Sequence, residues 1–142
     1  MNSIFLYTKT GIAYKDAIET IRKTFSNKKK VRFDGILKDD YYEADFSYGS
    51  TFDMFWIRFT PNNSMLDDEI LLTKEELALI PFVGYWTCID YWNEENAKKV
   101  VECLLPLYPE MYVDNDYGSI VPASEYLKAP IIIEKRPDHY YD

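Results

Sequence analysis

The sequence has little of three residue types on which many enzyme sites depend. Its 142 residues include one histidine, two cysteines and five glycines. His139 lies near the C-terminus, in a segment (134–142) predicted to be a flexible tail, whereas nucleophile–histidine pairs and histidine metal sites need a rigidly held imidazole. With five glycines, neither GxGxxG nor GxxxxGK[ST] occurs, which excludes the usual phosphate-binding loops. We therefore predict a protein that is not an enzyme, with no catalytic residues, no cofactor and no metal ligands.

Long hydrophobic runs are also missing. No segment approaches the roughly 20 apolar residues that a membrane-spanning helix needs, so we expect no contact with the membrane. The first ten residues lack the basic region and apolar run of a secretory signal, which predicts a cytoplasmic protein. In that compartment Cys88 and Cys103 are expected to be reduced core residues rather than a disulfide.

What the chain does contain is enough apolar material for one folded domain. Hydrophobic residues make up 47 % and aromatic residues 17 % of the sequence, so we predict a single domain over residues 1–142 with a sizeable core. The net charge of −8 argues against a direct nucleic-acid ligand, because phosphates would be repelled.

The stretch from Tyr85 to Val121 is predicted to organise the fold. Residues Tyr85 to Trp92 are aromatic and β-branched, which is typical of a buried strand. Asn93 is suited to cap the helix that follows, and Met111 to Val113 is predicted to be a short strand. The apolar stripe of the helix consists of Ala97, Val100, Val101, Leu104 and Leu105, spaced by three and four residues.

The remaining segments predict an α+β fold with a mainly antiparallel sheet and helices packed on one side. The predicted strands are Ser3–Thr8, Val31–Leu37, Tyr41–Tyr48, Phe52–Thr60 and Ile131–Ile133. One helix is predicted after Thr10-Gly11, a second from Thr73 to about Leu79 with a capping box, and a third over Ala123–Lys128. Pro61 to Ser64 is predicted to be a loop.

Acidic residues concentrate where aromatic residues are also dense. Residues 34–69 contain nine acidic and two basic side chains. In the strand from Tyr41, alternation places Glu43 and Asp45 on the side opposite Ala44. Carboxylates among large rings are typical of a surface that binds a basic protein. The predicted partner-binding residues are Asp39, Asp40, Tyr41, Glu43, Asp45, Asp53 and Trp56, with Asp114 and Asp116 as a second patch.

Two other interpretations of these acids stay open. In one, the helices cover the rings and the carboxylates are only a solvated edge, which is the more common outcome for any single residue because strand registers read from sequence are imprecise. The pattern Asp114-x-Asp116-x-Gly118 partly matches a calcium loop, but glycine falls at the fifth place instead of the sixth. A tight turn with side chains bonded to the local backbone is the better interpretation of this segment.

The C-terminal half resembles a known family. The run from Leu104 to Gly118, LLPLYPEMYVDNDYG, followed by Pro122-Ala123, is similar to small bacterial immunity proteins of polymorphic-toxin and contact-dependent inhibition systems. The resemblance implies a cytoplasmic, non-enzymatic protein that binds and neutralises one cognate toxin domain. Such toxins are commonly basic when they are nucleases, and an acidic inhibitor complements them. The family has no shared catalytic residues to carry over.

Three functional hypotheses follow. The first is an immunity-type inhibitor of a cognate protein toxin. The second is an enzyme that works through carboxylates, with or without a metal ion. The third is an adaptor subunit with a permanent partner, which would be poorly soluble alone. The sequence does not specify the oligomeric state.

Overall fold

A computed structural model of the chain describes residues 1–25, 32–37, 41–47, 51–67, 70–115 and 119–130. The strands are β1 (Asn2–Thr8), β2 (Arg32–Leu37), β3 (Tyr42–Ser47), β4 (Phe55–Ser64), β5 (Tyr85–Tyr91), β6 (Tyr112–Asp114) and β7 (Ile120–Pro122). The helices are α1 (Tyr14–Thr24), α2 (Lys74–Leu77), α3 (Glu94–Leu104) and α4 (Ala123–Lys128). The predicted strand Ile131–Ile133 and the predicted tail lie outside the described residues.

The strands form one sheet in the order β2-β3-β4-β5-β1-β6-β7, and each neighbouring pair is antiparallel. The predicted α+β fold with an antiparallel sheet is therefore confirmed. β5 is the middle strand and pairs with β4 and β1 along its length. The aromatic and β-branched segment that was predicted to organise the fold is thus the centre of the sheet.

The main core, the larger of two, lies between one face of the sheet and the helices α1, α3 and α4. Phe46, Phe55 and Phe59 point toward these helices and are completely buried. The rings of Phe46 and Phe55 are stacked, with their centroids 4.9 Å apart. Each large apolar side chain buried in this way contributes about 1.5–3 kcal/mol to folding, so this helix-covered face carries most of the stabilising contacts.

A smaller core lies on the opposite face, because alternate residues of a strand point to opposite sides. Tyr7 of β1 and Trp86 of β5 pack there against Met65 and Ile80, which belong to the segment joining β4 to β5. The four-residue helix α2 lies in that segment and adds Leu77 at the margin of this core. One-sided helix packing therefore describes α1, α3 and α4, whereas α2 lies on the other side.

The predicted helix caps are confirmed. The Thr73 hydroxyl accepts a hydrogen bond from the Glu76 N–H at 3.1 Å, and the Glu76 carboxylate accepts one from the Thr73 N–H at 3.0 Å. The Asn93 side chain accepts a hydrogen bond from the Glu95 N–H at 3.1 Å. These contacts satisfy first-turn donors that would otherwise lack partners. α2 ends at Leu77, two residues before the predicted end.

The segment Pro61–Ser64 was predicted to be a loop, and this is wrong. β4 continues through Ser64, which pairs with Tyr85 of β5 after a register irregularity. A proline has no N–H for the ladder, and an irregularity lets the strand continue past it.

Two short elements also differ from the prediction. Residues Thr51–Asp53 form a single 3-10 turn instead of the beginning of a strand. β7 was not predicted, because three residues are too few to show an alternation. It is formed by pairing with β6, which is itself held by β1.

Gly84 illustrates how closely the segment before β5 approaches β1. A Cβ atom at this position would overlap the main-chain carbonyl oxygen of Thr8, and Thr8 pairs with the next residue, Tyr85. The Gly84 carbonyl also accepts a hydrogen bond from the Met65 N–H at 2.9 Å. The backbone therefore has little room to move away.

We predict that Gly84→Ala lowers the free energy of unfolding by about 1–3 kcal/mol, because the added methyl group must displace packed backbone. Urea denaturation measures this change. Ser124→Thr adds one methyl group at an exposed position of α4 and is the control, with an expected change within about 0.5 kcal/mol. Equal stability of Gly84→Ala and the wild type would contradict the assigned approach of the two strands.

Candidate functional site

The face of β3, β4 and β5 that points away from α1 and α3 gathers acidic and aromatic side chains. The alternation predicted from the sequence is confirmed, since Ala44 and Ile57 are buried in the main core while their strand neighbours point outward. Most of these outward residues are half-buried and one is exposed. We call the following six residues the outward patch: Tyr41, Glu43, Asp45, Trp56, Arg58 and Asp90.

Trp56 occupies the middle of the outward patch. In the strand register its neighbour on β3 is Asp45, and its neighbour on β5 is Asp90. Directly opposed residues have Cβ atoms about 4.5–5.5 Å apart, so the half-exposed indole stands between two carboxylates. This arrangement can receive a cation over the ring and pair it with an acid at the same time.

Arg58 lies in the next row of the same face. Its register neighbours are Glu43 on β3 and Cys88 on β5. The guanidinium carbon lies 5.0 Å from the centroid of the Tyr41 ring, which is within the range of a cation–π contact. The outward patch therefore combines three carboxylates with one cation, and this cation is held against a ring.

Asp90 was missed in the sequence analysis. Its carboxylate accepts a hydrogen bond from the Ser3 hydroxyl on β1 and lies 3.7 Å from the Cys88 sulfur, a weak donor. The sequence contains a signal for it, because Asp90 is the sole acid in an otherwise uncharged strand. The spacing of two also places Asp90 on the same face as Trp86 and Cys88. The two donors fix the direction of a carboxylate that a partner can then contact.

The structure does not bring all predicted residues to this patch. Asp114 is only 6 % exposed and accepts a hydrogen bond from the buried Tyr7 hydroxyl at 2.9 Å. It therefore supports the fold, and its prediction as a surface contact is not supported. Asp53 lies in the 3-10 turn, where its carbonyl accepts a hydrogen bond from Asn96 of α3. Three further predicted residues lie outside the described part of the chain: Asp39, Asp40 and Asp116.

A second feature with polar lining is a cavity of about 260 Å³ between α3, α4 and the residues that flank the β6–β7 turn. Glu94 and Lys98 of α3 and Glu125 of α4 contribute charged groups, and Asn115 and Ser119 contribute neutral polar groups. Two carboxylates and an amine around one cavity are groups from which an acid–base site can be built.

Lys98 is the most unusual group of this cavity, because it is 9 % exposed. Its amine donates a hydrogen bond to the Tyr126 carbonyl oxygen and lies 4.1 Å from the centroid of the Tyr126 ring. Burial lowers the pKa of Lys98, and the nearby Glu94 carboxylate partly offsets this effect. The contact with the last turn of α4 ties α4 to α3, which gives the buried amine a structural role.

Two other titratable groups near α3 are inert at neutral pH. Burial raises the pKa of the Cys103 thiol to about 11, so the nucleophilic thiolate is scarce. Burial, with smaller effects of Glu94 and Tyr91, raises the pKa of Tyr126, whose hydroxyl has no hydrogen-bond partner among the described residues. Cys88 and Cys103 are both thiols and half-buried, at the margins of the two cores rather than inside them.

Neither a metal-binding cluster nor a membrane-spanning helix is found among the described residues. No group of three or more His, Cys, Asp or Glu side chains is arranged to hold a metal ion in this part of the chain. None of the helices described above has the length and apolar character needed to cross a bilayer.

Comparison with models of known protein families, with curated proteins and with solved structures finds no match to this chain. The geometry of the two sites is therefore the basis on which a function can be proposed.

The lowered pKa of Lys98 predicts a pH-dependent stability. The unfolded chain holds the proton up to about pH 10.4, whereas the folded chain releases it earlier, so the burial cost falls as pH rises through this interval. We expect the free energy of unfolding of the wild type, minus that of Lys98→Met, to increase between about pH 7 and about pH 10. Urea denaturation across this range measures it.

Lys99→Met removes an amine from the same helix and controls for net charge. A wild-type minus Lys98→Met difference that stays constant, or falls, as pH rises would contradict the burial of the Lys98 amine.

Proposed function

We propose that this chain is an immunity-type inhibitor that binds a basic protein toxin domain through the outward patch and thereby neutralises it. The observation that carries the proposal is the register of β3, β4 and β5, which places Trp56 between Asp45 and Asp90 on the sheet face that α1, α3 and α4 do not cover. Aromatic anchors flanked by charged groups are the side chains that dominate protein–protein affinity.

The chemistry of the outward patch favours a lysine- or arginine-rich partner. A cation from the partner can lie over the Trp56 indole and form charge-assisted hydrogen bonds with a neighbouring carboxylate. Arg58 restricts which basic proteins can bind, because a partner must place an acid or a ring near this guanidinium or leave the guanidinium in solvent. The outward patch therefore has a pattern that can discriminate one basic protein from another.

Charge is distributed so that it orients the encounter. The outward patch has three carboxylates and one guanidinium, whereas α1 on the opposite side of the sheet exposes three cations (Lys15, Arg22, Lys23) and two acids (Asp16, Glu19). Because the charges of α1 nearly balance, a basic partner is attracted more strongly to the outward patch, which favours productive association.

Rigidity also supports binding. The outward patch is carried by paired strands near the middle of the sheet, whose other face is anchored in the main core. Side chains on such a support lose little conformational entropy when a partner binds. The resemblance of residues 104–118 to bacterial immunity proteins agrees with this function and implies a cytoplasmic, non-enzymatic inhibitor of one cognate toxin.

The cavity around Lys98 is the specific observation that favours the second hypothesis, an enzyme that uses carboxylates. Glu94 and Glu125 line this cavity together, on the helix-covered side of the sheet and separate from the outward patch. The two functions can therefore be separated by mutation.

The first prediction concerns the outward patch. We expect Glu43→Lys/Asp45→Lys to slow association with the toxin by about tenfold at low salt and to reduce the salt dependence of the association rate, because the attraction is lost. The control is Glu19→Lys/Glu102→Lys, which makes the same change in net charge on α1 and α3. The binding partner is the product of the reading frame immediately upstream, co-expressed and purified, and surface plasmon resonance gives the rates.

Equal association rates for the two double variants would show that net charge, and not the outward patch, controls the encounter. Failure of the upstream product to co-purify with the wild-type chain, or to harm cells that lack the chain, would contradict the proposed function itself.

A second prediction separates inhibitor from enzyme. We expect Glu94→Gln/Glu125→Gln to protect cells against the toxin as well as the wild type does, because the cavity lies away from the outward patch. Glu43→Lys/Asp45→Lys should protect poorly. Survival after induction of the toxin measures both. The reverse pattern would favour the enzyme, and calorimetric titration with Mg²⁺ and Zn²⁺ would then test for a metal.

A further inference from the structure

The segment that covers the smaller core has several large apolar side chains exposed to solvent. The described residues include six exposed large hydrophobic side chains, and four of them lie between positions 66 and 83. We call these four residues the apolar ridge: Leu66 (57 % exposed), Leu71 (77 %), Leu79 (53 %) and Val83 (66 %). Single exposed leucines are ordinary, but four large exposed apolar side chains in one segment that covers a core add apolar surface on which another molecule can bind.

The fold does not need these side chains. The same segment already anchors itself through its inward residues, because Met65 and Ile80 are buried and Ile70, Leu72 and Leu77 pack against the smaller core. The segment is therefore apolar on its inner and its outer side. Burial of the inner side stabilises the domain, and the outer side is left for another molecule.

Leu71 adds a conformational observation. Its φ angle is 53°, in the left-handed region that leucine rarely adopts and that glycine or asparagine tolerates. A leucine that is strained and also largely exposed stabilises neither the local backbone nor the core. Strained residues of this kind cluster at sites of function.

The apolar ridge lies on the same side of the molecule as the outward patch. The smaller core that it covers is built on the face of β1 and β5 that carries Tyr7, Trp86 and Cys88. Cys88 also lies opposite Arg58 of the outward patch. The outward patch and the smaller core, which the ridge segment covers, are therefore neighbours on the same face of the sheet.

We propose that the apolar ridge and the outward patch form one interface for one partner, a basic protein with an apolar surface beside its cationic groups. This inference rests on the proposed function and names further contact residues for it. The ridge buries apolar area and slows dissociation, whereas the carboxylates act mainly on association. The described residues of the segment that carries the ridge include three acids (Asp67, Glu75, Glu76) and one cation (Lys74), a net negative charge that suits a partner that is basic around its apolar surface.

Charge argues against a second copy of this chain as the occupant. A two-fold dimer places the same patch of each subunit against itself. Glu43, Asp45 and Asp90 of both subunits would then lie in one interface, with one arginine of the outward patch per subunit to offset them. Like charges brought together across an interface are unfavourable, whereas a basic partner makes the same contacts attractive.

The test uses Leu71→Asn and Leu71→Asn/Leu79→Asn with the co-purified upstream product. Asparagine tolerates the left-handed conformation, so Leu71→Asn should not lower the urea midpoint of unfolding. We expect the double variant to dissociate about tenfold faster, with an association rate within about twofold of the wild type. Leu107→Asn is the control, because Leu107 is 49 % exposed but follows α3 on the opposite side.

The outcomes distinguish the two proposals. A wild-type complex that neither ridge variant weakens would overturn the ridge as a contact and leave the proposed function in place. Absence of any complex would overturn both. Sedimentation of the wild-type chain as a dimer, with Leu71→Asn/Leu79→Asn as a monomer, would identify a second copy as the occupant and also overturn this inference.

Discussion

The two faces of the seven-stranded sheet are covered unequally, and the rest of the structure depends on this asymmetry. α1, α3 and α4 pack on one side and bury the alternating apolar residues of β1, β3, β4 and β5. The other side is covered over Tyr7 and Trp86 by the segment between β4 and β5. The remaining part of that side displays Glu43, Trp56 and Asp90. Partial cover of a rigid sheet thus creates both the outward patch and its neighbour, the apolar ridge.

This asymmetry links stability to function through β5. Its residues Ile89 and Tyr91 join the main core, while Trp86 joins the smaller one and Asp90 joins the outward patch. A single strand therefore holds the two cores together and supplies part of the proposed binding surface. Because every second residue of β5 is committed to packing, the surface residues between them are held in fixed positions before a partner arrives.

Strand alternation made much of this predictable from the sequence. The period of two placed Glu43 and Asp45 opposite Ala44, and the caps at Thr73 and Asn93 followed from local hydrogen-bonding chemistry. Such signals are contained within a few residues. The central position of β5 was predictable for the same reason, since a strand without exposed charge along most of its length needs neighbours on both sides.

Features that depend on distant pairing could not be predicted. The turn sequence predicts Asp114 as a surface acid, but the Tyr7 hydroxyl, 107 residues earlier in the chain, donates a hydrogen bond to its buried carboxylate. β7 has no pattern of its own and forms because β6 offers it an edge. The exposure of Leu71 and Val83 could not be predicted either, because the sequence of a short irregular segment does not show which of its apolar residues face inward.

The central claim is that the outward patch contacts the partner, and carboxyl footprinting of the complex tests it most directly. Glu43, Asp45 and Asp90 would be labelled with a carbodiimide and an amine, and mass spectrometry would compare the chain alone with the chain bound to the upstream gene product. The account predicts that these three carboxylates lose labelling in the complex while Glu19 and Glu102 keep it. Protection of Glu19 and Glu102, with unchanged labelling of the outward patch, would contradict it.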